Sequence, residues 1–135
     1  MKILIVEDEL AGQKLLQLFL KGLGEIEVTG DGESALARFQ KTLEAKEPFD
    51  LVLLDIMLPQ LSGLQVLAGI RSLESSKGIG GLDCVKVIML TALHDSENIM
   101  KSFRLQAEAY ISKPIDKEKL LQEIRKLGFS LKSTP

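Results

Sequence analysis

The sequence predicts a single α/β domain, a parallel sheet of five strands alternating with five helices that cover both of its faces. Three observations predict it. Residues 3–6 and 51–54 are continuous apolar runs and 85–90 is strongly apolar, all too short for amphipathic helices and apolar on both faces, as strands inside a covered parallel sheet are. Segments with apolar residues at helical spacing separate these runs. The strands then end on polar residues (Glu7-Asp8-Glu9, Asp55, Thr91 and Lys113), at the carboxyl edge where open α/β sheets bind their ligands.

Taken in order, the strand at 3–6 stops on three acids, and a helix follows with Leu15, Leu16, Phe19, Leu20 and Leu23 on one face and Gly24 as its stop. Residues 25–29 are short and partly alternating, which suits a strand nearer the sheet's edge. Asp31 is placed to cap a helix striped by Ala35, Leu36, Phe39 and Leu43, which Glu47-Pro48 ends. The strand at 51–54 carries Asp55 to its end, and Pro59 turns the chain away because it cannot continue a ladder.

Ser62-Gly63 opens a helix carrying Leu64, Val66, Leu67 and Ile70. Residues 75–83, rich in glycine and serine, read as an exposed connection to the strand at 85–90. Asp95 and Ser96 can cap a helix whose apolar face, Ile99, Met100 and Phe103, is thin. A last strand at 109–112 closes on Lys113-Pro114. Asp116 caps the final helix, with Leu120, Leu121, Ile124 and Leu127 inward and Gly128 as stop. The domain is therefore expected over 1–128, with 129–135 a frayed tail.

Composition narrows the class. A chain of 135 residues with 45% apolar and 27% charged residues buries roughly two-thirds of its unfolded surface and is not disordered. A formal net charge of −2 lacks the basic signature of a nucleic-acid binder. No apolar run approaches a membrane span, and the amino terminus meets acids too early for a signal peptide. The single cysteine, Cys84, rules out a disulfide framework and reads as a small buried apolar residue. A cytoplasmic setting is expected.

The chemistry lies at the strand ends. Glu7, Asp8 and Asp55 brought to one edge repel by a few kcal/mol per pair at ~4 Å and an effective dielectric near 20. They stay ionised only with a cation among them, and Mg²⁺ prefers such oxygen-only ligation. Lys113 adds a fixed positive charge and Thr91 a hydroxyl. A carboxylate in that company is set up to attack phosphorus, which predicts an aspartyl-phosphate at Asp55.

The stretches Ile5-Val6-Glu7-Asp8-Glu9, Leu53-Leu54-Asp55-Ile56-Met57-Leu58-Pro59, Leu90-Thr91-Ala92 and Tyr110-Ile111-Ser112-Lys113-Pro114 resemble the receiver domain of two-component response regulators, over about residues 2–128. The resemblance implies a flavodoxin-like, doubly wound five-stranded parallel sheet in the order 2-1-3-4-5. It implies transfer of a phosphoryl group to Asp55 from a phosphohistidine on a sensor histidine kinase or histidine phosphotransfer protein. Asp8, Asp55 and the Met57 carbonyl would hold Mg²⁺ or Mn²⁺, with Glu7 helping through water. Thr91, Ala92 and Lys113 would contact the phosphoryl group, Tyr110 would switch rotamer with Thr91, and the Lys113–Pro114 peptide would be cis. Such a chain is a phosphoacceptor switch and not an enzyme. It presents a downstream protein with the face built by the fourth helix, fifth strand and fifth helix, as a monomer or a phosphorylation-dependent dimer.

Three departures stand out. Gln106-Ala107-Glu108-Ala109 replaces the usual Gly-Ala before the switch tyrosine, Ser62 stands where an aspartate is frequent, and the 75–84 connection is long. Plainer readings stay open: Tyr110 as a half-buried strand aromatic, Glu9 as a helix-start charge, His94 as a solvated loop residue. Met57 and Leu93 are both apolar and are expected to shield the acyl phosphate from water. A Mg²⁺-dependent aspartyl-phosphate hydrolase would want an acid where Met57 stands. A nucleotide or flavin carrier would want a glycine-rich phosphate loop, which the chain lacks. Because the chain ends soon after the fifth helix, a stand-alone receiver is expected.

Overall fold

Alternate side chains of a strand point to opposite faces of its sheet, so runs that are apolar at every position bury both faces. The computed structural model describes residues 1–92 and 95–131 and has that architecture. Its elements are β1 (Lys2–Val6), α1 (Leu10–Phe19), β2 (Glu25–Thr29), α2 (Gly32–Glu44), β3 (Leu51–Asp55), α3 (Gly63–Ser76), β4 (Lys86–Thr91), α4 (Ser96–Arg104), β5 (Ala109–Ser112) and α5 (Lys117–Lys126). All strand pairs are parallel, in the order β2-β1-β3-β4-β5, the flavodoxin-like order that the resemblance implied.

Leu4, Val6, Val52, Leu54, Val87 and Met89 face α2 and α3, where Phe39, Val66, Leu67 and Ile70 meet them. Ile3, Ile5, Leu51, Leu53, Ile88 and Leu90 face the other way, onto Leu16 and Leu20 of α1 and Leu120 and Ile124 of α5. Each buried side chain of this size contributes about 1.5–3 kcal/mol. The register sets Val6 beside Leu54, Asp55 beside Leu90 and Thr91 beside Ser112, so the polar residues after β1, β3, β4 and β5 emerge on one edge.

Caps fall where expected at three helices. Asp31 accepts from the Ser34 amide at 2.7 Å and Asp116 from the Lys119 amide at 3.0 Å. Ser62 and Gln65 form a reciprocal capping box at α3. Asp95 does occupy the cap position of α4, but its side chain takes no backbone amide there and instead accepts from the Asn98 amide group at 2.8 Å.

Several boundaries differ from expectation. Helix α1 ends at Phe19, and Gly22 takes the left-handed turn at φ +87°. Gly24 serves instead as the close approach beside Met1, where the Glu25 amide donates to the Met1 carbonyl at 2.9 Å. Leu15 is 40% exposed, because Leu16 and Leu20 already form the inward stripe and Leu15 lies about 100° around the helix. Helix α2 stops at Glu44, ahead of Glu47-Pro48, with Lys46 at φ +59°. Residues 75–76 still belong to α3, and Gly81–Asp83 form a 3-10 turn with Leu82 almost fully exposed. The Met100 and Phe103 stripe of α4 faces solvent, and its buried residue is Ser102. Phe129 and Leu131 are partly buried and pack against the α1/α5 core. Leu93, His94 and residues 132–135 lie outside the described residues.

Candidate functional site

Glu7 is the first residue beyond β1, and its amide extends the ladder by donating to the Thr29 carbonyl at 3.1 Å. Its side chain is almost fully buried. Gly12, in the first turn of α1, makes room for it, since a Cβ there would sit 2.7 Å from Glu7 Oε1. Gln13 donates its Nε2 to the Glu7 carbonyl at 2.7 Å and so fixes the peptide that leads to Asp8.

Asp55 ends β3 and is 3% exposed. The Met57 amide donates to its Oδ1 at 3.0 Å, and Lys113 Nζ donates to its Oδ2 at 2.8 Å. The same ammonium reaches Glu7 Oε1 and Oε2 at 3.3 and 3.2 Å. Lys113 follows β5, its amide donating to the Thr91 carbonyl at 2.7 Å, and the Lys113–Pro114 peptide is cis. Asp8 is exposed and completes the group, with one carboxylate oxygen each from Glu7, Asp8 and Asp55 within 4.8 Å of one another.

Burial, and then the hydrogen bond and charge of Asp55, outweigh the pull of Lys113 and raise the Glu7 carboxyl to about 7. Burial works against the Lys113 ammonium, but hydrogen bonds and charge from Asp55 and Glu7 outweigh that and hold its pKa above the ordinary value. Once Glu7 is ionised, three carboxylates against one ammonium leave two negative charges over, the charge of a divalent ion. All the donors are hard oxygens, which suits Mg²⁺ or Mn²⁺ and not a soft metal.

The other expected site residues are close by in the fold but outside this cluster. Thr91 is fully buried, and its hydroxyl donates to the Ala92 carbonyl at 3.3 Å. Ala92 is exposed. Tyr110 is 40% exposed and lies edge-on to Phe103 at 5.9 Å between ring centroids. Met57 presents a side chain that is 66% exposed. Glu9 sits at the start of α1 with its side chain uncommitted to a cap. Gln13 was not legible beforehand. Gly12, a glycine inside an otherwise helical stretch one turn after the acids, was a signal that something large packs there.

The response regulator receiver domain family model matches residues 3–125. A probable transcriptional regulator of Cyanophora paradoxa is 36% identical over 127 residues, covering 93% of this chain and 47% of that protein. The transcriptional regulatory protein DltR of Streptococcus agalactiae is 36% identical over 126 residues, covering 93% of this chain and 50% of that one. The chain thus spans about half the length of these curated relatives. Among solved structures, a receiver domain protein of Methanospirillum hungatei superposes with a TM-score of 0.74 at 30% identity, over 93% of this chain and 90% of the other.

Proposed function

Because this chain belongs to the response regulator receiver domain family, we propose that Asp55 is its phosphoacceptor and that a partner's phosphohistidine is the donor. The observation that carries the reading is the meeting of Glu7, Asp8, Asp55 and Lys113, from three strand ends, in one small cluster. Receivers are phosphoacceptor switches and are not generally classed as enzymes.

Glu7, Asp8, Asp55 and the Met57 carbonyl would hold a divalent ion. Bound there, it supplies positive charge that neutralises the carboxylates and the entering phosphoryl oxygens. The chain's own residues do the rest. The Met57 amide and Lys113 fix the two Asp55 oxygens in different directions, so the carboxylate is oriented before a donor arrives. In transfer an Asp55 oxygen forms the new O–P bond as the N–P bond of the phosphohistidine breaks, and that electron pair stays on the imidazole. Lys113 holds charge on the moving group, as preorganised cations do in phosphoryl transfer.

The product is an acyl phosphate, and its dianion is a far stronger acceptor than the Ala92 carbonyl that the Thr91 hydroxyl now uses. Thr91 turning toward it, with Ala92 contributing to the phosphoryl contacts, frees space for Tyr110 to move inward. That motion biases the face built by α4, β5 and α5 between two arrangements for a downstream protein. Met57 at the rim slows attack by water, and slow self-dephosphorylation follows.

Incubation with acetyl phosphate and Mg²⁺, followed by intact-mass measurement, tests the proposal. One phosphoryl group per chain is expected, absent in Asp55→Asn and absent when the ion is chelated. Labelling that survives Asp55→Asn would refute it.

A further inference from the structure

Away from the acid cluster, a single guanidinium fastens several distant segments together. Arg71 projects from α3 with its side chain 12% exposed. Its Nη1 donates to Glu74 Oε1 at 2.7 Å and to the Val85 carbonyl at 3.0 Å. Its Nη2 donates to the Gln106 carbonyl at 2.6 Å and to both Glu108 oxygens at 2.8 and 3.1 Å. The two carboxylates are themselves held, Glu74 by the Val85 amide at 2.6 Å and Glu108 by the Val87 amide at 3.1 Å. A planar fork with fixed donors suits such a junction, and lysine could not reproduce it.

The segment held most tightly is the turn from α4 into β5. Gln106 stands there at φ +70°, a left-handed conformation that favours glycine. The helix closes over it, with the Gln106 amide donating to the Phe103 carbonyl at 3.0 Å and the Ala107 amide to the Ser102 carbonyl at 2.9 Å. Ser102 and Ala107 are buried. At the opposite end of α4, among the described residues, Asp95 caps no backbone amide and accepts only from the Asn98 side chain, and Met100 on the middle turn is exposed.

We infer that Arg71 is a positioning residue of the switch, a clasp that fixes the α4–β5 turn so that α4 responds at its N-terminal end and pivots about residues 105–108. The inference rests on the Asp55 reading only for what sets the motion off. The clasp itself is a property of the resting protein. It also accounts for a glutamine in a left-handed turn: Arg71 holds the Gln106 carbonyl and stabilises a conformation that the residue alone disfavours. Glu108 lies two residues before Tyr110, so the same bonds set where β5 and its aromatic begin.

Hydrogen exchange read by mass spectrometry tests this on the full chain. Without ligand, Arg71→Lys should speed exchange at 105–108 by about tenfold or more while β1 and β3 stay as protected as in the parent. Adding Gln106→Gly to Arg71→Lys should restore much of the protection, since glycine takes the left-handed turn unaided. With Mg²⁺ and beryllofluoride, the parent should change exchange chiefly at 95–100, and Arg71→Lys should spread the change to 101–108. Equal exchange at 105–108 in parent and Arg71→Lys would overturn the clasp, and so would failure of Gln106→Gly to restore protection. If Arg71→Lys does not fold, Glu108→Gln carries the same comparisons. If beryllofluoride changes nothing at the acid cluster either, the Asp55 reading fails, and the ligand-free arm still decides on the clasp.

Discussion

Glu7 combines near-complete burial with a carboxylate neighbour, and its proton affinity reflects both. Its ordinary value of 4.5 rises to about 7 in the fold, so the folded state binds a proton more tightly than the unfolded chain between those values. The stability this confers is complete below pH 4.5 and is lost as pH rises through 7. In the presence of a chelator, unfolding free energy should therefore fall over that interval, by at most roughly 3 kcal/mol. Urea titrations across pH measure it, and Glu7→Gln should flatten the decline. A decline that persists in Glu7→Gln would place the titrating group elsewhere. None of this was legible in the sequence, which put Glu7 at a strand end but could not tell a buried acid from an exposed one such as Asp8. Gln13 escaped for a related reason, since its bond to the Glu7 carbonyl depends on how α1 lies against β1.

Between elements, two glycines mark where another residue comes too close for a side chain. A Cβ on Gly63 would run into the Asp55 carbonyl and sit 2.6 Å from Ile56 Cα, and neither atom can yield. Gly63→Ala should cost about 3 kcal/mol, the upper end of overpacking, and thermal melts or urea midpoints would register it. A Cβ on Gly12 meets the movable end of Glu7 instead. Gly12→Ala should lower Mg²⁺ affinity by calorimetry more than it lowers stability, and the opposite ranking would contradict the cradle. At α3, Ser62→Ala removes half of the capping box and should cost about 1 kcal/mol in the same urea experiment. Strands and caps were readable because each depends on a few adjacent residues, such as the run at 51–54 or Asp31 before Ser34. The Arg71 junction was not, because it gathers residues 71, 74, 85, 106 and 108, which only the folded sheet makes neighbours. Leu15 and Leu16 are equally apolar, and only the roll of α1 decides which turns inward.

Over the whole molecule, the sheet order brings the ends of β1, β3 and β5 together with like charges in excess. Among the described residues no helix is long and apolar enough to cross a membrane. The parallel order and the acid cluster were both foreseeable, since strands alternating with helices admit few topologies and the carboxyl edge gathers the residues just past each strand. On the proposed reading a divalent ion relieves the repulsion at this edge, and an ion bound only by the folded state must stabilise it by mass action. Melting temperature against Mg²⁺ concentration at neutral pH measures that directly. The midpoint should climb steadily with the logarithm of Mg²⁺ in the parent and stay flat in Asp8→Asn. A flat parent, or a variant that climbs equally, would contradict the account.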